Sequence, residues 1–210
     1  MPGAREADVA PAPTTEPTGG RLAGWTPADP GPLGLAGFAG TTFVLSMVNA
    51  NLVGARALGA VLPLAIAYGG LAQLLAGMWE FRTGNTFGAV AFSSFGAFWI
   101  SFYFLFKVVG PVVVGPHGIS LYLWMWGIFT TYMFLASLRT TAAVSLVFLL
   151  LSATFILLAI GFMGKGHTGI THAGGYVGIA TAVAAWYASF AAVINSTFGR
   201  VIAPVFPLRA

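Results

Sequence analysis

Charged side chains are scarce in this chain. Asp, Glu, Lys and Arg make up 7% of its 210 residues, against about a quarter in an ordinary soluble domain, so a water-soluble globule is excluded. Cysteine is absent, which removes disulfides, thiolate chemistry and cysteine-held metals. The formal net charge of +4 is spread thinly, with no Lys/Arg cluster of the kind that engages nucleic acid. No Asp, Glu, Lys, Arg or His falls near the middle of any long apolar stretch, where proton pumps and ion-coupled carriers commonly place an ionisable group. A built-in carboxylate relay is therefore not expected. Transport through such a chain should be channel-like, or should carry its proton on the substrate.

What is present is apolar. Hydrophobic residues make up 58% of the chain, in blocks of about 20, the length that crosses a bilayer core of about 30 Å. Six spans are expected, near Leu33–Val53, Leu58–Trp79, Thr86–Val109, Ile119–Leu138, Ala142–Met163 and Gly175–Ile194. The fold class is an all-α polytopic membrane protein, six transmembrane helices in one bundle. Residues 1–25 are rich in Pro, Ala, Thr, Gly and Glu and lack an apolar h-region; they read as a disordered tail, not a signal peptide. Residues 26–205 form the six-helix transporter domain and 206–210 a short C-terminal tail. The short connections leave no room for a catalytic domain outside the membrane. With six spans, Arg5, Arg21, Arg82, Arg139, Arg200 and Arg209 share one side, and Arg56, Lys107 and Lys165 the other. That asymmetry favours a multi-pass protein with both termini in the cytoplasm.

The first span opens on Asp29-Pro30-Gly31-Pro32. Proline is tolerated in a first helical turn, where its missing N–H has no partner. A helix from Gly31 would present unpaired N–H groups and the positive end of its dipole at the membrane surface, a setting that attracts anions. Gly34, Gly37 and Gly40 then form a smooth side, interrupted by the ring of Phe38. The polar residues that enter the spans are small and neutral: Thr41, Thr42, Asn49, Gln73, Ser93, Ser94, Thr130, Thr131, Ser152 and Thr154. They serve either as interhelical hydrogen bonds or as the lining of a path for a small polar solute. Gly70, Gly77 and Gly96, with the ladder Ala180–Ala184–Ala188, read as packing seams.

In the turn Glu80-Phe81-Arg82-Thr83-Gly84-Asn85-Thr86-Phe87-Gly88, Gly84 stops one span and Asn85 or Thr86 caps the next. Glu80, Asn85 and Thr86 would then make a polar vestibule, unless Glu80 and Arg82 simply anchor the span at the interface. The pairs Thr41-Thr42 and Thr130-Thr131 occupy comparable places in the first and fourth spans, a faint sign of inverted halves. His117, His167 and His172 fall in or beside loops with no accompanying carboxylate, so no metal and no cofactor is expected. His172, just before the last span, is a candidate to meet an anion. With no cluster of acid, base, nucleophile or metal ligands in the spans, the chain does not read as an enzyme.

The run Pro30-Gly31-Pro32-Leu33-Gly34-Leu35-Ala36-Gly37-Phe38 resembles the Asn-Pro-Ala-Pro-Leu-Gly-Leu signature of the acetate uptake transporter family, the succinate–acetate permeases of bacteria and fungi. The resemblance extends in order through Tyr68-Gly69-Gly70-Leu71-Ala72-Gln73, Gly84-Asn85-Thr86-Phe87-Gly88, Leu158-Ala159-Ile160-Gly161 and Phe198-Gly199-Arg200. It implies a homo-hexamer in the plasma (inner) membrane, with a separate pore through each protomer for acetate and in some cases succinate. Family behaviour ranges from proton symport to an anion channel. The resemblance also implies a hydrophobic constriction of Phe38, Phe95 and Leu151. Asp29 stands in place of the signature's Asn, Gly31 in place of its Ala, and Phe95 in place of a Tyr, which makes the constriction drier. The stretch His172-Ala173-Gly174-Gly175-Tyr176 is similar to the family's His-x-Ala-Gly-Trp without matching it residue for residue. A urea or short-amide channel is the alternative from composition alone, and a non-transporting scaffold or sensor is a third reading.

Overall fold

The computed structural model describes Trp25, residues 27–164 and residues 167–208. The expected tail up to Gly24, and the orientation markers Arg5, Arg21, Lys165 and Arg209, lie outside the described residues. The chain runs through α1 (Gly31–Asn49), α2 (Leu58–Ile66), a π-helical segment (Ala67–Ala72) and α3 (Gln73–Thr83). It continues with α4 (Thr86–Tyr103), a second π segment (Phe104–Val109), α5 (Pro111–Ser137), α6 (Ala142–Gly161) and α7 (Thr168–Phe198). Taken as continuous rods, six of these units among the described residues are long and apolar enough to cross a membrane. This is an all-α, multi-pass membrane protein. Its one β pairing among the described residues is the bridge between Thr141 and Pro207.

Local chemistry sets the ends. Pro32 sits in the first turn of α1, and Asp29 Oδ1 accepts a 2.8 Å hydrogen bond from the Gly31 N–H. Gly84 ends α3 in the left-handed conformation at φ +79°, which glycine adopts without steric cost. Asn85 then caps α4, its Oδ1 accepting from the Gly88 N–H at 3.1 Å. Two spans are longer than hydropathy suggests. Helix α5 begins at Pro111, not near Ile119, and absorbs a kink at Gly115 (φ +67°) and Pro116. Helix α7 begins at Thr168, not near Gly175, because its first turns are polar and glycine-rich yet still helical. His117 and His172 consequently lie inside helices.

Neighbours in sequence are neighbours in space, and α7 returns to pack on α1, so the six spans close into a ring. Small residues make the seams. A Cβ on Gly37 would sit 2.5 Å from the backbone carbonyl oxygen of Tyr68 in the first π segment, and one on Gly96 would sit 2.7 Å from the Leu74 nitrogen. Gly175 lies against the backbone of Ala50, and Gly178 against Ser46. The buried seam of α7 runs through Gly174, Gly178, Ala182 and Ala185, while Ala180 is exposed. Of the expected alanine ladder, Ala188 is buried in the seam, Ala184 is half-buried against the core and only Ala180 faces outward. Ser189 Oγ ties α7 to the start of α1 by donating to the Pro32 carbonyl at 2.7 Å.

The segment after α7 folds back over the face that carries the start of α1. Asn195 holds it with three hydrogen bonds: its Oδ1 accepts from the N–H groups of Ile202 (2.6 Å) and Ala203 (2.9 Å), and its Nδ2 donates to the Ala203 carbonyl (2.8 Å). Ala142 and Ala143 N–H groups donate to the Phe206 and Val205 carbonyls, and the Leu208 N–H to the Thr140 carbonyl. On the same face, the exposed Trp25 ring packs edge-on to Trp79 at 5.6 Å, and the Arg82 guanidinium lies 5.9 Å from its centroid. Arg82, Arg139 and Arg200 lie at the span ends on this face, and Arg56 and Lys107 at those on the opposite one.

Candidate functional site

Four cavities succeed one another inside the ring, each sharing wall residues with the next. A vestibule of about 480 Å³ opens beside the start of α1. A neck of about 20 Å³ shares Leu35, Ala91, Phe92 and Phe148 with it. A middle chamber of about 200 Å³ shares Phe38 and Leu151 with the neck. A mouth of about 380 Å³ at the other end shares Val48, Asn49 and Phe162 with the chamber. A space of about 20 Å³ holds a single water at most, so the neck is shut to any solute.

Phe38, Phe95 and Leu151 all line the neck, at 4%, 2% and 3% exposure. The Phe38 and Phe95 rings meet at 5.8 Å. Phe95 is further locked by Phe129 at 5.3 Å, Trp126 at 6.0 Å, Phe148 at 6.1 Å and a parallel Phe155 at 6.5 Å. Aromatic pairs at these separations attract beyond simple area burial. Phe95 is thus held by a cage of rings drawn from α1, α5 and α6.

Two carboxylates line the vestibule. Glu80 is only 2% exposed, so it is no interfacial anchor, and its Oε2 accepts from Thr83 Oγ1 at 3.0 Å. Gly88 is the floor beneath it, since a Cβ there would lie 2.6 Å from Glu80 Oε1. Asp29 shares the vestibule and already occupies the Gly31 N–H. The anion-attracting helix start expected from the sequence is therefore occupied by the chain's own carboxylate. Among the described residues, no Lys or Arg lines any of the four cavities.

The match to known proteins is extensive. The GPR1/FUN34/yaaH family model covers residues 14–210. The chain belongs to this family. It is 42% identical over 198 residues to acetate permease A of Emericella nidulans, covering 85% of this chain and 65% of that longer protein. It is 39% identical over 183 residues to the succinate-acetate/proton symporter SatP of Escherichia coli (strain K12), covering 85% of this chain and 95% of the relative. The solved structure of the bacterial acetate channel SatP superposes with a TM-score of 0.79 at 36% identity, covering 86% of this chain and 99% of that one.

In this GPR1/FUN34/yaaH family member, the polar residues singled out from the sequence separate into two groups. Thr42 and Asn49 line the chamber, Gln73 the neck, Glu80 and Asn85 the vestibule, and His172 the far mouth. Thr42 Oγ1 and Gln73 Oε1 are buried without a hydrogen-bond partner. Thr41, Thr130 and Thr131 bond back to the carbonyls of Gly37, Trp126 and Gly127, and none of them lines these four cavities. Thr131 also bonds Ser152 Oγ at 2.6 Å, stitching α5 to α6. Thr86 is exposed at the first position of α4 and outside the vestibule wall. Wall residues not anticipated are Ser46 and Phe148, with Val205 and Pro207 of the folded-back C-terminal segment. Ser46 had a readable signal: with Phe38, Thr42 and Asn49 it follows the helical spacing of one α1 face.

Proposed function

We propose that this protein passes acetate, and other small carboxylates such as succinate, across the plasma (inner) membrane through a pathway inside each protomer. The observation that carries the reading is the succession of vestibule, neck and chamber, with Phe38, Phe95 and Leu151 meeting at the neck. The names of the relatives favour carboxylates over urea or short amides. On this reading Thr42, Asn49, Gln73, Glu80, Asn85 and His172 belong to the pathway wall, whereas Thr41, Thr86, Thr130 and Thr131 act in packing or at a helix start.

An ionised carboxylate stripped of water among phenyl rings meets a large desolvation penalty, and the neutral acid a much smaller one. Passage of the protonated form is accordingly the mechanism the neck favours, with the proton travelling on the substrate. Both termini face the cytoplasm, in keeping with three described Arg residues on that face against one Arg and one Lys opposite. The protomers assemble as a homo-hexamer. Its interface would cover membrane-facing residues such as Leu71, Leu75 and Met78 of the second span, all about half exposed.

The test is labelled-acetate flux into liposomes holding the purified protein, at two pH values, with excess succinate or urea and a clamped membrane potential. Acetate entry above that of empty liposomes, blocked by succinate and not by urea, is the expected result. No such entry from folded, oriented protein would overturn the proposal.

A further inference from the structure

The neck holds one polar side chain. Among its lining residues, Leu35, Phe38, Phe92, Phe95, Phe148 and Leu151 among them, Gln73 alone carries a hydrogen-bonding group beyond the backbone. Gln73 is the first residue of α3, directly after the π segment Ala67–Ala72, and π segments recur at functional sites. It is 1% exposed, and its Oε1 is buried with no hydrogen-bond partner. Buried side-chain polar atoms are rarely left this way, and one that is calls for an explanation. A ligand in transit supplies one.

We propose that Gln73 is the residue that reads the protonation state of the substrate, pairing with a neutral carboxylic acid and rejecting the carboxylate. This rests on the proposed acetate pathway and deepens it. A primary amide presents an N–H donor and a carbonyl acceptor side by side. A neutral carboxylic acid presents an O–H donor and a carbonyl acceptor with the same spacing, so the two close a planar ring of two hydrogen bonds. The pairing engages both ends of the amide, so exchanging Oε1 and Nε2 leaves it unchanged. A carboxylate has no donor. It satisfies the N–H and sets its charge against the lone pairs of Oε1, in a site where nothing else compensates. Phe95 contributes no hydroxyl to the neck, which leaves the amide as its sole polar determinant. Among the described residues, no titratable side chain lines the neck. Among the same residues, those lining the rest of the pathway are Asp29 and Glu80 in the vestibule, Tyr122 in the chamber, and His167 and His172 at the far mouth.

The experiment compares wild type, Gln73→Met and Gln73→Glu, full-length in liposomes. Labelled-acetate entry is followed from about pH 5 to about pH 7.5, with empty liposomes subtracted and charge movement recorded under a clamped potential. The three side chains are similar in length. Protonated Glu keeps the O–H and carbonyl pair, and Met keeps neither. Wild-type entry should fall about tenfold for each pH unit above the pKa of the substrate, as the neutral fraction does, without net charge movement. Gln73→Met should lose about tenfold at the acid end, the worth of two modest hydrogen bonds, and Gln73→Glu should retain wild-type entry there. Gln73→Met within twofold of wild type, or Gln73→Glu as impaired as Gln73→Met, overturns the role of Gln73. Wild-type entry that is flat with pH and carries current overturns the protonation reading while acetate passage stands, and it does so whether or not the variants fold. Wild-type entry no greater than that of empty liposomes overturns the acetate pathway itself.

Discussion

Truncating Leu151 to Ala tests the neck most directly. Leu151 is 3% exposed and borders both the neck and the chamber. The substitution deletes three carbon atoms, each displacing about as much as a water at ~30 Å³. The neck would grow from about 20 Å³ to roughly 100 Å³ and merge with the chamber. Creating a void of that size in a packed interior costs about 2 kcal/mol, at about 24 cal/mol per Å³. The wild-type protein must open a comparable gap each time a solute passes, so the same 2 kcal/mol stands in its barrier; the variant carries it in the resting state. Acetate flux should therefore rise by up to about thirtyfold, the ratio of succinate to acetate flux should rise further, and the folded state should lose about 3–5 kcal/mol once the lost transfer free energy of the removed carbons is added to the void. Liposome flux of both labelled acids, beside a thermal melt in detergent, measures all three. A melt that drops while both fluxes stay at wild-type values would falsify the reasoning: Leu151 would then be an ordinary packing residue.

Two further substitutions test how the pathway is framed. Gly37→Ala places a Cβ 2.5 Å from the Tyr68 carbonyl oxygen, which cannot yield without moving the π segment, so it should destabilise the fold by about 1–3 kcal/mol. Gly40→Ala, whose Cβ meets only the Tyr68 ring at 3.5 Å, is the control, and equal melting shifts for the two would contradict the close-approach account. Asn195→Ala removes three hydrogen bonds to the C-terminal segment. It should speed proteolysis and amide exchange at 200–208 with little change in the melt of the bundle. Unaltered protection there would assign the hold to Tyr187, whose hydroxyl donates to the Pro204 carbonyl at 2.6 Å, and to the pairing with residues 140–143.

The spans were legible because lipid imposes a length and a composition on them, and the Gly84–Asn85 turn because its chemistry is local. Where a polar first turn precedes the apolar run, as in α7, or a Gly-Pro kink interrupts it, as at Gly115-Pro116 in α5, hydropathy stops short of the true start. Which polar residue faces the pathway was not legible. In a soluble helix the polar face is the outer one, and amphipathicity orients it. Here lipid-facing, seam and pathway sides are all apolar, so the pattern of a span leaves its rotation undetermined. The Thr-Thr pairs illustrate the point: neighbours on a helix point about 100° apart, so Thr42 lines the chamber while Thr41 turns into the seam with the π segment, opposite Gly69. Tertiary packing decides between them. Gln73 and Glu80 are seven apart, two turns on one helical face, and that spacing connects the neck to the vestibule.

The charge distribution along the pathway bears on where selection occurs. A channel that concentrates anions ordinarily lines its entrance with cationic groups, so that field lines focus on the mouth. Here the vestibule is walled by Asp29 and a buried Glu80, and the first free donor of α1 is occupied by Asp29 itself. An anion approaching from that face gains little from the mouth, while a neutral acid suffers no repulsion there. The far mouth differs, with Asn49, Asn51, His167 and His172 in its wall. Among the described residues neither end supplies a Lys or Arg, which on the proposed reading leaves discrimination to the neck, where an aromatic cage surrounds the unpaired Oε1 of Gln73. On the proposed reading the pathway does not provide affinity for carboxylates in general; it is costly for everything except a small solute that can shed its charge and satisfy Gln73 while the rings part.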